Sequence, residues 1–213
     1  MNSNNIEQVI LMLVIAYLLG AIPSGVWIGK GFFHIDIRRH GSGNIGTTNT
    51  YRVLGPIAGT IVMAMDISKG AIATLLPFFF HNFTINPLVF GLAAILGHTF
   101  SVFDRFKGGK AVATSAGMLL AYKPSFFFLA AGIWLLLVLL TSMVSLASMV
   151  AFTCTTLATF FINDLFLSIL AIVLTIFIFY RHRSNIGRIM NGTESMVPFG
   201  LGNLIRKHQQ SKE

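Results

Sequence analysis

Three polar segments interrupt an otherwise apolar chain, and each carries side chains suited to holding an anion. The first is residues 41–52, GSGNIGTTNTYR. Gly41, Gly43 and Gly46 let backbone N–H groups approach an anion closely, and the N-terminus of a following helix adds favourable potential. Ser42, Asn44, Thr47, Thr48 and Asn49 add neutral donors, and Arg52 adds a planar cation. The glycines fit G-x-G-x-x-G, but a dinucleotide site needs a strand before it and an acid about 20 residues on. A membrane helix and a basic loop precede this one, which excludes NAD. A solvated turn with a helix cap is the alternative reading.

The second segment is residues 97–114, GHTFSVFDRFKGGKAVAT. Lys107 and Lys110 are cations for a phosphate, and Gly108 and Gly109 offer backbone donors. This is not a Walker A loop: Asp104 stands where its first Gly belongs, and Ala111 replaces the Ser/Thr that would hold Mg²⁺. Neither a nucleotide nor a metal is implied, and no cofactor is expected. His98, near the end of its helix, reads first as a structural histidine.

The third segment is residues 181–194, RHRSNIGRIMNGTE. His182 and Asn185 share a face if the preceding helix continues. Arg181, Arg183 and Arg188 surround them. A basic flank that ends a membrane span explains the arginines, but not His182, Asn185 or Glu194. Together the three segments set Gly-rich turns, cations and two histidines at helix ends on one membrane face. That suits an interfacial site for a phosphorylated substrate, with apolar helices beside it to hold an acyl chain.

The elements that must position these groups are membrane helices. Hydrophobic residues make up 54% of the 213 and charged residues 10%, with a mean hydropathy of +0.76. Soluble domains carry about 25% charged residues, and a bilayer is crossed by roughly 20 apolar residues as helix. An all-α, polytopic integral membrane protein with one membrane-embedded domain, 1–213, is expected. Clear spans are Ile6–Gly29, Ile57–Phe80 and Leu88–Phe103. The apolar tract up to Tyr180 has breaks at Lys123-Pro124, Thr141-Ser142 and Asn163-Asp164. Using all three gives seven spans; merging the short helices gives five. Both counts are odd, so the termini lie on opposite sides. The first run is longer than a signal-peptide core and lacks a basic start, so it reads as a retained helix. Cys154 is the one cysteine, which excludes an intrachain disulfide.

Thirteen of the fifteen Lys and Arg residues fall in loop 1, block 104–110 and the tail, whereas loops 1–5 and 81–87 hold none. The positive-inside rule then places the N-terminus outside and those three segments in the cytoplasm. No basic soluble module is present, so nucleic acid is not an expected partner. Asp66 and Lys69 sit three apart within a span. Intramembrane charge points first to function, but this spacing lets the two neutralise each other, and structural pairing is the first reading.

GSGNIGTTNTYRVLG, DISKG, GHTFSVFDRFKGGKAVAT and RHRSNIGRIMNGTE resemble, in order and spacing over nearly the whole chain, the signatures of the bacterial acyl-phosphate-dependent glycerol-3-phosphate acyltransferases. The resemblance implies seven helices, an outside N-terminus, a multi-pass protein of the bacterial plasma membrane and a site on its cytoplasmic side. It also implies the reaction: acyl transfer from acyl-phosphate to the 1-hydroxyl of sn-glycerol 3-phosphate, giving lysophosphatidic acid and phosphate for phospholipid synthesis. On this basis Ser42, Arg52, Lys110, His182 and Asn185 are the expected catalytic residues. Gly41, Gly43, Asn44, Gly46, Thr48, Asn49, Lys107, Gly108 and Gly109 are expected to bind substrate. Lys69, His98 and Arg181 are lesser candidates, and Glu194 fits better as support for the tail.

The residues agree with such chemistry. No Ser or Cys stands in a triad pattern, so an acyl-enzyme is not indicated. An activated donor needs mainly orientation and charge stabilisation. Either a histidine or a substrate phosphate can take the hydroxyl proton, and the phosphate is favoured. Acyl-CoA enzymes resemble a pattern of His and Asp separated by four residues, whereas His98 and Asp104 are separated by five. A transporter for an organic phosphate is the rival class, but its site would lie near the bilayer midplane, with repeats. A scaffold would leave the three motifs unexplained. The partners expected are acyl-phosphate, glycerol 3-phosphate and membrane lipid; the sequence names no protein partner.

Overall fold

The computed structural model describes residues 3–210, which are helical and contain no strand among them. They divide into two compact units at Pro124/Ser125.

In the first unit, α1 (Ser3–Ala21) ends one residue before Ile22-Pro23, and α2 (Ser24–Phe33) starts after it. This corrects the expected single span Ile6–Gly29. Proline has no N–H to continue a helix and biases the residue before it away from helical geometry. A 3₁₀ turn (Ile37–Arg39), α3 (Thr47–Leu54), α4 (Pro56–Phe79), α5 (Pro87–Thr99), a second 3₁₀ turn (Val102–Asp104) and α6 (Val112–Tyr122) follow. Proline at the first turn of α4 and α5 starts each helix where an N–H has no partner in any case.

Small residues set the packing. Gly20 of α1 lies against the backbone of Ala94 in α5, and Gly97 of α5 lies against the backbone of Tyr17. Gly70 of α4 and Gly117 of α6 likewise seat on the backbones of Thr114 and Ile67. In lipid, association rests on such close backbone approach rather than on water exclusion. Around these seams Val9, Met12, Ala16, Ala73, Leu76, Phe90 and Ala94 form a buried core.

The second unit holds α7 (Pro124–Thr141), α8 (Val144–Thr159), α9 (Leu165–Arg181), α10 (Arg183–Met190) and α11 (Leu201–Gln210). All three expected breaks of the long apolar tract are present. Thr156 of α8 shares a 2.7 Å hydroxyl contact with Thr175 of α9. The α7–α8 corner holds the tail: Val197 N–H donates to the Ser142 carbonyl (2.9 Å), Ser142 Oγ donates to the Phe199 carbonyl (2.8 Å), and Asn203 N–H donates to Ser142 Oγ (2.9 Å).

Four described helical stretches are long and apolar enough to cross a membrane: α1, α4, α5 with its following 3₁₀ turn, and α7. The pair α9–α10, bent by 60°, makes a fifth when counted as one span, and α6 and α8 are shorter apolar helices.

Candidate active site

The loop between α2 and α3 is folded by one side chain. Asn49 is 1% exposed. Its Nδ2 donates to the carbonyls of Ile37 (3.0 Å), His40 (3.2 Å) and Asn44 (2.8 Å), while its Oδ1 accepts the Ser42 N–H at 2.8 Å. The sequence suggested a substrate donor here; the geometry makes Asn49 the clamp that shapes residues 37–44. Gly41 (φ 60°) and Gly43 (φ 71°) take the left-handed turns this path needs. Asn44 Oδ1 accepts the Gly46 N–H at 2.9 Å, closing a local turn before α3.

Asp36 caps the first 3₁₀ turn and pairs with Arg38 through both oxygens, Nε–Oδ1 at 2.8 Å and Nη2–Oδ2 at 2.5 Å, with Lys30 at 3.3 Å from Oδ2. The Arg38 hydrogen bonds hold the Asp36 carboxyl well below the usual carboxylate range, and they push the Arg38 guanidinium above its already high value. Nη1 of Arg38 reaches across to Asp104, at the end of the second 3₁₀ turn. One guanidinium therefore ties the first polar segment to the second.

A cavity of about 670 Å³ opens between these loops, lined by Asp36, Arg38, Arg39, Ser42, Gly43, Asn44, Ile45, Asp104, Arg105, Lys107 and Gly108. Arg39, Arg105 and Lys107 make no ion pair among the described residues, so the lining is net cationic. Five expected site residues, Ser42, Gly43, Asn44, Lys107 and Gly108, meet here; Gly41, Gly46, Thr48, Arg52, Gly109 and Lys110 are not part of the lining. Sequence reading missed Asp36, Arg38, Arg39, Asp104 and Arg105 as lining groups. The arginines were masked by their role in topology; the signal for Asp104 was a lone acid among three cations.

The loop at 105–111 is tightly wound. Arg105, Phe106 and Ala111 all have positive φ (54°, 58° and 59°), a conformation that costs a non-glycine residue about 1–2 kcal/mol. The Gly109 N–H donates to the His98 carbonyl at 3.1 Å, which docks the loop on the end of α5.

In the second unit, His182 marks the bend between α9 and α10, so the straight continuation assumed for the His182–Asn185 face is absent. Its backbone N–H is shared between Ile178 (2.9 Å) and Phe179 (3.1 Å), and Nδ1 lies 2.9 Å from the Ile178 carbonyl. A carbonyl only accepts, so Nδ1 carries the hydrogen and Nε2 is the basic nitrogen of the neutral ring. Asn185 Nδ2 donates to Glu194 Oε1 (2.7 Å), as does Ser145 Oγ (2.7 Å), and Arg188 Nε donates to Oε2 (2.8 Å). Burial alone would raise the Glu194 pKa, but these three donors outweigh it and hold it below the ordinary value. Arg206 donates to the Glu194 and Gly192 carbonyls at 3.2 and 2.7 Å. Glu194 is thus the knot of the tail. Arg181 ends α9, and Lys69 and His98 lie buried in the first unit.

Residues 10–192 match the family model described as glycerol-3-phosphate acyltransferase. The chain is 66% identical to the glycerol-3-phosphate acyltransferase of Levilactobacillus brevis, over 92% of this chain and 96% of that protein. It is 68% identical to that of Lactiplantibacillus plantarum, over 92% and 95%. Its fold is similar to crystal structures of PlsY (YgiH), an integral membrane glycerol 3-phosphate acyltransferase. The glycerol 3-phosphate form matches at a TM-score of 0.82 and 37% identity, over 88% of this chain and 94% of that one. The lysophosphatidic acid form matches at 0.81 and 37%, over 92% and 96%. With motifs, helices and sequence in agreement over most of its length, the chain belongs to the PlsY family of integral membrane glycerol-3-phosphate acyltransferases.

Proposed function

We propose that this protein moves a fatty acyl group from acyl-phosphate to the 1-hydroxyl of sn-glycerol 3-phosphate, with no acyl-enzyme between. The products are 1-acyl-sn-glycerol 3-phosphate and phosphate, at the first acylation of bacterial phospholipid synthesis. The observation that carries the reading is the cavity in which Ser42, Gly43 and Asn44 face Lys107 and Gly108, with three unpaired cations around it. A dianionic phosphate fits that charge, and the glycine backbone lets N–H groups approach it.

In the step itself, the glycerol hydroxyl oxygen bonds to the acyl carbonyl carbon, and the bond from that carbon to the phosphate oxygen breaks. The hydroxyl proton goes to the departing phosphate. Lys107, Lys110 and the loop that carries Gly108 and Gly109 hold glycerol 3-phosphate; Ser42 and Arg52 bind and polarise the donor. His182, fixed by the Ile178 carbonyl, binds or orients through Nε2, and Asn185 acts with it. The work is orientation and charge stabilisation rather than covalent catalysis.

The whole chain acts as one membrane domain of the plasma membrane. Its seven apolar helices α1, α4, α5, α6, α7, α8 and α9 are seven spans, with the N-terminus outside and the site facing the cytoplasm. The distribution of basic residues supports this. α6 and α8 fall short of the roughly 20 residues of a straight span, a mismatch that local bilayer thinning accommodates.

The test uses purified protein in lipid, supplied with glycerol 3-phosphate and, separately, palmitoyl-phosphate, palmitoyl-CoA or palmitoyl-acyl-carrier protein. Lysophosphatidic acid and phosphate are expected from palmitoyl-phosphate alone. Lys110→Ala and His182→Ala should each lower kcat/KM about 100-fold or more without loss of folded protein. Product from the CoA thioester instead would overturn the donor.

A further inference from the structure

Four polar side chains lie buried in the first unit behind the phosphate loop: Ser24, Asp66, Lys69 and His98, each 5% exposed or less. Asp66 Oδ1 accepts Ser24 Oγ at 2.9 Å and stands 2.8 Å from Lys69 Nζ. Lys69 also donates to the Ile22 carbonyl at 3.1 Å, at the break between α1 and α2. A buried ion pair is a poor source of stability in itself, because desolvation offsets most of the attraction. Pairing alone needs no third member, yet one is present: His98 Nδ1 lies 3.8 Å from the same Asp66 oxygen.

The other edge of the imidazole meets the loop. Gly109 lies directly against His98 Nε2, so that even a methyl group there would overlap the ring. Gly108 is seated on the carbonyls of His98 and Thr99 in the same way. The path from Asp66 to the loop is therefore two contacts long, through one rigid ring.

We propose that Asp66 is a positioning residue for the acyl transfer. Locked by Lys69 and Ser24, it orients His98, and the His98 ring sets where the Gly108–Gly109 backbone meets the phosphate. The inference rests on assigning that loop to glycerol 3-phosphate. Loss of orientation is felt in catalysis even when it begins away from the reacting atoms.

Steady-state kinetics with both substrates varied tests it, on Asp66→Asn, His98→Gln, their double variant and Gly109→Ala, beside thermal unfolding of each. Asp66→Asn keeps the shape and a partner for Ser24. It should raise KM for glycerol 3-phosphate about tenfold, the effect of losing one good polar contact, with KM for the donor nearly unchanged. His98→Gln should do the same, and the double variant should be no worse than either single variant. A purely structural role would lower the unfolding temperature and leave that KM alone, and this result, or additive effects in the double variant, would overturn the proposal. Gly109→Ala separates the two ideas. If it raises KM for glycerol 3-phosphate and Asp66→Asn does not, the positioning role fails while the loop assignment stands. If both variants raise KM for the donor instead, the loop assignment fails while Asp66 still positions the loop. Should Asp66→Asn not fold, Ser24→Ala removes one donor to the carboxylate and should shift the same constant two- to threefold; no shift would count against the proposal.

Discussion

Asn49 shows how far a residue's type underdetermines its role. A neutral amide in a Gly-rich loop reads as a donor to substrate; here it bonds to three carbonyls and one N–H of its own loop. Asn49→Ala leaves four backbone groups without this partner, and one of them, the Ile37 carbonyl, loses a buried hydrogen bond. At about 1–3 kcal/mol for a polar group stranded in this way, a loss of roughly 2 kcal/mol is expected, read by thermal unfolding in detergent. Asn49→Asp keeps the acceptor but removes the donors and should be nearly as damaging. Ser42 and Lys107, by contrast, were singled out by type and spacing, and both line the cavity. Arg38 was not: its basic charge counted toward topology, and only the fold brings Asp104, 66 residues away, to its guanidinium.

Among the elements, the breaks in the apolar tract were legible because proline, polar pairs and lysine mark them in the chain itself. The break at Pro23 lies inside an unbroken apolar run, and hydropathy alone passes over it. The bend at His182, whose Nδ1 lies 2.9 Å from the Ile178 carbonyl, has no proline or glycine beside it to mark it in the chain. The stability of the tail is exposed to pH through Glu194. Its folded pKa lies below the ordinary carboxylate value of 4.5. The folded state therefore binds that proton less readily than the unfolded chain. Its contribution is complete above about pH 4.5 and fades as pH falls through the lower folded value. Glu194→Gln should cost about 2 kcal/mol at pH 7, since Arg188 is 41% exposed and counts for less than a buried partner. The variant should also lose the extra destabilisation below pH 4.5; unfolding curves at pH 7 and pH 4 measure both.

At the scale of the molecule, composition and charge announced a polytopic helical membrane protein but left five or seven spans open. The α7–α8 corner bears on that choice. Ser142 bonds to residues 197, 199 and 203, which follow the last apolar helix. The corner and the tail therefore lie at the same end of their unit. Seven spans put both on the cytoplasmic side, whereas five, with α6 merged into α7 and α8 into α9, put them on opposite sides. Single-cysteine labelling decides between them, and Cys154→Ala gives a background free of cysteine. An impermeant maleimide applied to intact cells should label Phe83→Cys, between α4 and α5, and spare Met190→Cys at the end of α10 under either count. Met143→Cys, at the corner itself, is the position where the counts part. Seven spans require that it react only in inverted vesicles, as Met190→Cys does. Labelling of Met143→Cys from outside would favour five spans and would require the tail to leave Ser142. Because these hydrogen bonds hold the tail at the corner, we expect labelling from the cytoplasmic side.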